Sequence, residues 1–150
     1  MNSQTLTNGV ILAENDSQMR ELIRLLLSHA GQQVYLAGDG AEAVNLARQF
    51  RPRLVLLDIA MPRLNGIQAC AAIHDLPGYD DVPIIMLTSH DNERFRTAAK
   101  GVGAKDFITK PFRPGVLLKQ LSGYLDIPTN SMEVRGTPSP VGFGPKSVYP

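Results

Sequence analysis

Five short apolar runs, separated by stretches of helical periodicity, constrain this chain more than any other feature. They are Val10-Ile11-Leu12-Ala13, Val34-Tyr35-Leu36-Ala37, Leu54-Val55-Leu56-Leu57, Ile84-Ile85-Met86-Leu87 and Phe107-Ile108-Thr109. A short continuous apolar run suits a strand buried on both faces. Between them, Met19, Leu22, Ile23 and Leu26 recur at helical spacing, with Gly31 as a stop. Asp39 and Glu42 resemble a capping box opening a second helix through Ala43, Leu46, Ala47 and Phe50. Ile67, Cys70, Ala71 and His74 mark a third, closed by Pro77-Gly78, and Phe95, Ala98, Ala99 and Val102 a fourth. Pro114 opens a fifth, running through Leu117, Leu118, Leu121 and Leu125.

Strand–helix alternation without hairpin signals predicts an α/β fold: a five-stranded parallel sheet, doubly wound, with helices on both faces. In such sheets ligands bind beyond the carboxyl ends of the strands. Glu14, Asn15, Asp16, Asp58, Thr88 and Lys110 stand at those ends, so the pattern gathers them at one edge.

A chain of 150 residues can bury a core as one domain. The net charge of +1, from 15 basic and 14 acidic residues, gives no support for binding nucleic acid through bulk charge. Cys70 is the sole cysteine, so no internal disulfide can form. Met1 to Gly9 lacks the basic and apolar regions of a secretion signal, and no apolar run reaches membrane-spanning length. The expectation is a soluble cytoplasmic protein without membrane insertion. From Ile127 the pattern gives way to Pro, Gly, Ser and Thr. The expected organisation is an extension at 1–8, a domain at 9–126 and a disordered tail at 127–150, leaving no room for an output domain.

A strand-end carboxylate can attack phosphorus and form an aspartyl phosphate. Its negative charge repels the incoming group, so a hard divalent cation with oxygen ligands is required. Glu14, Asp16 and the amide oxygen of Asn15 are candidate ligands. Lys110 suits a compact positive charge on phosphoryl oxygens, and Thr88 a hydroxyl donor.

With those residues in place, the chain resembles the receiver domain of two-component response regulators, especially the stand-alone chemotaxis kind with a flavodoxin-like fold. The resemblance covers residues 9 to 126. It rests on Val10 to Asp16, Leu54 to Pro62 with Gly66, Ile84 to Ser89, and Lys110-Pro111-Phe112. It implies Asp58 as phosphoacceptor, charged by a histidine kinase or histidine phosphotransfer protein. Lys110 would bridge to the phosphoryl group, Thr88 would be the switch hydroxyl, and Phe107 the aromatic that follows it. Magnesium would be held by Glu14, Asn15, Asp58 and the backbone carbonyl of Ala60, and the Lys110-Pro111 bond would be cis. A downstream protein would read the face of the fourth helix, fifth strand and fifth helix, with no direct nucleic-acid contact.

The chain departs from the family at Asn15, where a second acidic residue usually binds the metal; weaker magnesium affinity is expected, with Asp16 expected to cap the first helix rather than turn inward to compensate. In the family that the chain resembles, side chains two residues beyond the acceptor and two beyond the switch hydroxyl tune hydrolysis of the phosphate. Here Ala60 cannot orient a water, while His90 is a candidate to do so. Cys70 and His74 are assigned to core packing. Asn15 motivates one alternative, a pseudo-receiver that docks partners without phosphorylation. A phosphatase with an aspartate nucleophile is disfavoured, because Ala60 replaces its usual second acid.

Overall fold

The three central strands form because four or five apolar residues in succession can be buried only between two layers of helix, while the two edge strands stay partly exposed. The computed structural model describes residues 5–6, 9–89 and 93–128. Two compact units are present, Met1–Phe112 and Arg113–Pro150. The first contains the strands β1 (Val10–Ala13), β2 (Val34–Ala37), β3 (Leu54–Asp58), β4 (Ile84–Thr88) and β5 (Asp106–Thr109). All neighbours run parallel, in the order β2-β1-β3-β4-β5. Helices α1 (Ser17–His29), α2 (Gly40–Gln49), α3 (Gly66–His74) and α4 (Glu93–Gly101) connect them. The step from β1 to β2 runs opposite to the later steps. Right-handed crossovers then put α1 on one face and α2, α3 and α4 on the other. This is the doubly wound, flavodoxin-like arrangement.

Alternation along the strands sorts the core. Ile11, Ala13, Val55, Leu57, Ile84 and Met86 join Ala43, Ala47, Ala69, Cys70 and Ile73 of α2 and α3 in one buried cluster. Burying each larger aliphatic side chain stabilises the fold by about 1.5–3 kcal/mol. Cys70 lies in this cluster as expected, whereas His74 is only half-buried, on the last turn of α3.

Helix ends follow the local chemistry. Asp39 caps α2 by accepting from Glu42 N–H, while the Glu42 carboxylate accepts from Gly38 N–H at 2.7 Å. The reciprocal bond thus closes one residue earlier than in a standard capping box. Asn65 and Gln68 form the full box at the start of α3. Gly31, at φ +84°, ends α1.

Phe50 corrects the sequence-based helix boundary. It is extended and caps the carboxyl end of α2. Phe50–Arg51 pairs in parallel with Thr5–Leu6, and the Phe50 ring stacks on Tyr35 with centroids 4.5 Å apart. Stacking against an edge strand and pairing with an upstream segment outweigh one more turn of helix. Tyr79 is fully buried, its single hydroxyl proton shared between the carbonyls of Ala47 and Phe50 at 2.9 and 2.6 Å.

In the second unit, α5 (Pro114–Leu121) has proline in its first turn and buries Leu117, Leu118 and Leu121. It ends four residues before the expected Leu125, with Ser122 as its cap. His90, most of the 1–8 extension and residues 129–150 of the expected tail lie outside the described residues. Among the described residues, no helix is long and apolar enough to cross a membrane.

Candidate functional site

Parallel strands deliver their last residues to one edge, and adjacent strands bring those residues together. Asp58 ends β3, flanked by β1, which leads into Glu14, and by β4, which ends at Thr88. Beyond β4, β5 leads into Lys110, whose N–H donates to the Thr88 carbonyl at 2.7 Å. The Lys110-Pro111 bond is cis.

Two carboxylates and one ammonium meet at the centre. Asp58 and Glu14 are 5% and 1% exposed, so their charges depend on protein partners rather than bulk water. Lys110 Nζ lies 3.1 Å from Glu14 Oε1 and 3.4 Å from Asp58 Oδ1. Backbone amides supply the remaining donors. Ala60 N–H reaches Asp58 Oδ1 at 3.2 Å, Asn15 N–H reaches Asp58 Oδ2 at 3.3 Å, and Asp16 N–H reaches Glu14 Oε2 at 3.0 Å. Burial, followed by the neighbouring Asp58 carboxyl, raises the Glu14 pKa above its ordinary value, against the opposing pull of Asp16 N–H and Lys110.

The loop after Asp58 is tightly folded. Ile59 N–H donates to Leu87 O at 3.0 Å, and Gly66 N–H to Ile59 O at 2.8 Å. A side chain on Gly66 would collide with the Asp58 carbonyl, so glycine is what lets α3 start against the strand end. Arg63 sits at φ +64° in a γ-turn, with Leu64 N–H donating to Pro62 O at 2.6 Å, and pairs with Asp39. Beside Asp58 a pocket of about 260 Å³ opens between Ile59, Ala60 and Ile67 on one side and Thr88 and Phe95 on the other.

The expected site residues are not all gathered here. Glu14, Asp58 and Lys110 are in contact, and Thr88 shares the pocket wall with Asp58 and Ala60. Asn15 is exposed and touches Asp58 through its backbone N–H. Asp16 is engaged elsewhere: its Oδ1 caps α1, accepting from Gln18 and Met19 N–H at 2.8 and 3.2 Å. A carboxylate just before a helix finds unpaired amides closer than any other partner. Phe107 is buried on β5, with the Arg96 guanidinium 4.9 Å above its ring. Among the described residues, no three Asp, Glu, His or Cys side chains form a metal-binding group. The sequence reading missed Arg20, whose Nη1 donates to the Glu14 carbonyl at 2.7 Å. Only its place one turn beyond the Asp16 cap could have signalled that reach.

The family comparison agrees with this geometry. A sequence model described as the response regulator receiver domain matches residues 10–122. The chain belongs to this receiver-domain family. Response regulator MprA of Mycobacterium sp. (strain KMS) is 38% identical over 116 residues, covering 77% of this receiver chain and 50% of MprA. MprA of Mycobacterium leprae (strain TN) is 36% identical with the same coverage. The receiver chain thus spans about half the length of the curated relatives it matches. Among solved structures, the Vibrio cholerae chemotaxis protein CheY4 superposes with a TM-score of 0.74 at 30% identity, over 82% of this chain and all of CheY4. The receiver domain of a Pseudomonas aeruginosa PAO1 sensor histidine kinase, with a magnesium ion coordinated in its active site cleft, gives 0.72 at 28% identity. That match covers 81% of this chain and 98% of the other. Receiver domains act as signalling switches in two-component systems.

Proposed function

We propose that Asp58 accepts a phosphoryl group from a phosphohistidine on a histidine kinase or phosphotransfer protein, in the cytoplasm. One observation carries this reading: a buried strand-end carboxylate has an ammonium 3.4 Å away and stands beside a pocket shared with a threonine hydroxyl. An Asp58 carboxylate oxygen forms the new O–P bond as the donor's N–P bond breaks. The imidazole nitrogen keeps the electron pair and takes a proton from solvent. Lys110 holds the carboxylate in place and meets the phosphoryl oxygens. Thr88 supplies a hydroxyl from the pocket wall.

The donor set suits a hard cation, because every group is oxygen and two are carboxylates with raised mutual repulsion. Glu14, Asp58, the Asn15 amide oxygen and the Ala60 carbonyl would hold magnesium. It would neutralise charge between acceptor and donor. Asp16 is left to its cap.

The response is a population shift. Thr88 and Phe107 lie on neighbouring strands, and Arg96 of α4 covers the Phe107 ring. A changed Thr88 contact thereby alters the α4–β5 surface that a downstream protein reads. The chain performs no turnover beyond its own phosphorylation and dephosphorylation.

Asn15 favours a second reading, since among the described residues it leaves two carboxylates at the centre: a docking module that works without phosphorylation. Intact mass after incubation with acetyl phosphate separates the two. A magnesium-dependent adduct, absent with chelator and in Asp58→Ala, supports the switch. No adduct in folded protein at any magnesium concentration supports docking.

A further inference from the structure

One backbone unit, the Glu14–Asn15 peptide, touches the acceptor carboxylate from the β1 side. Its N–H, on Asn15, donates to Asp58 Oδ2 at 3.3 Å, and its carbonyl, on Glu14, accepts from Arg20 Nη1 at 2.7 Å. A peptide is planar, so a donor that fixes the oxygen also fixes the direction of the N–H on the other side. A charged donor on the oxygen also polarises the unit and strengthens that N–H as a donor. Arg20 therefore acts on both the aim and the strength of the contact to Asp58.

The surroundings fit this role. Glu21, the next residue, is engaged by Arg24 through two contacts of 2.9 and 2.5 Å, while Arg20 reaches the Glu14 carbonyl. Gly38 lies beside the guanidinium: a Cβ there would be in ordinary contact, 3.5 Å from Arg20 Nη1. The strand side of the same segment is held by Glu14 N–H donating to Ala37 O at 3.2 Å. Lys110 and Ala60 N–H both fall on Oδ1, the Asn15 N–H falls on Oδ2, and the Glu14 carboxyl neighbours the same group. Because residue 15 brings no carboxylate, this backbone contact is its clearest link to the acceptor.

We propose that Arg20 is a positioning residue for phosphoryl transfer, acting through the Glu14–Asn15 peptide to hold Asp58 in its attacking orientation. This rests on the reading of Asp58 as the acceptor. A small rotation of a nucleophile lowers its rate without unfolding the protein.

The test uses the full chain as wild type, Arg20→Ala and Arg20→Gln. Adduct formation from acetyl phosphate with magnesium chloride is followed by intact mass, and the Asn15 amide by nitrogen-15 NMR. Arg20→Ala is expected to be phosphorylated about fivefold more slowly. The deficit should persist in 1 M potassium chloride, where the screening length is about 3 Å. Its Asn15 amide proton should move upfield and exchange faster with solvent, and Arg20→Gln, which keeps a donor, should lie between. A wild-type rate in Arg20→Ala, or a deficit that vanishes in high salt, overturns the proposal. If Arg20→Ala does not fold, the same criteria apply to Arg20→Gln. A wild-type chain that takes no phosphoryl group ends the acceptor reading instead. Arg20 is then judged on the Asn15 amide alone, and an unchanged resonance removes its orienting role.

Discussion

Lys110 Nζ stands 3.4 Å from Asp58 Oδ1, reaching from the end of β5 past β4 to the end of β3. The same ammonium serves Glu14 at 3.1 Å, so one cation faces two buried carboxylates. Lys110→Met leaves both without it. Adduct formation should fall by about a hundredfold or more. In chelator the variant should lose about 2–4 kcal/mol, since breaking a buried pair strands its partner. Magnesium chloride should raise its melting temperature more than that of wild type, and an equal rise would contradict this picture.

Asp58 shows the opposite sign. Asp58→Asn removes one of two adjacent carboxylates while Lys110 keeps Glu14 as a partner. The variant should be as stable as wild type or more stable in chelator, although it forms no adduct. A loss of more than about 2 kcal/mol in denaturant unfolding would show that Asp58 is a structural anchor.

Glu14 makes stability depend on pH. Burial first, and then Asp58, raises its folded pKa above the ordinary 4.5. The folded chain therefore keeps a proton that the unfolded chain has released. Its contribution is fully present below about 4.5 and lost as pH rises through the folded value. The difference in unfolding free energy between wild type and Glu14→Gln, measured in chelator, should change across that window and flatten above it. Asp58→Asn should narrow the window without closing it, because burial remains. A difference independent of pH would place Glu14 at its ordinary value.

Much of this architecture was legible because buried parallel strands are written as unbroken apolar runs. The runs ending at Asp58 and Thr88 matched β3 and β4, and their ends placed the candidate residues on one edge. Contacts made through backbone left no such trace. Arg20 meets a carbonyl, and every residue has one. Arg63 takes a positive φ that residue type alone does not signal. Phe50 continued the apolar period of α2, yet its pairing with Thr5 depends on a distant segment with no strand period of its own. Periodicity reports which face is buried; it does not report which long side chain reaches across to a neighbouring loop.

Gly66 tests how closely α3 holds the acceptor strand. A Cβ there would overlap the Asp58 carbonyl and the Ile59 backbone, and neither is a flexible side-chain end. Gly66→Ala should cost about 2–4 kcal/mol and slow adduct formation, since relief of the overlap moves Asp58. Gly101→Ala is the control: nothing lies within 4 Å of its Cβ position, so the change should be neutral or slightly stabilising. Equal melting temperatures for the two variants would mean that the loop after β3 yields easily.

Asn15→Asp probes the family departure. The residue is exposed and already touches Asp58 through its N–H, so a carboxylate there keeps the backbone contact and adds a charged oxygen. Without metal, the third carboxylate must share Lys110 with Glu14 and Asp58, and the variant should melt lower in chelator. With magnesium the repulsion becomes attraction, and affinity measured by calorimetric titration should rise about tenfold. Adduct formation should then saturate at lower magnesium. The two effects must appear together, because one charge causes both. Tighter binding without lower stability in chelator would place the new carboxylate away from Asp58. Lower stability without tighter binding would mean that magnesium is held by Glu14 and Asp58 without any contribution from residue 15.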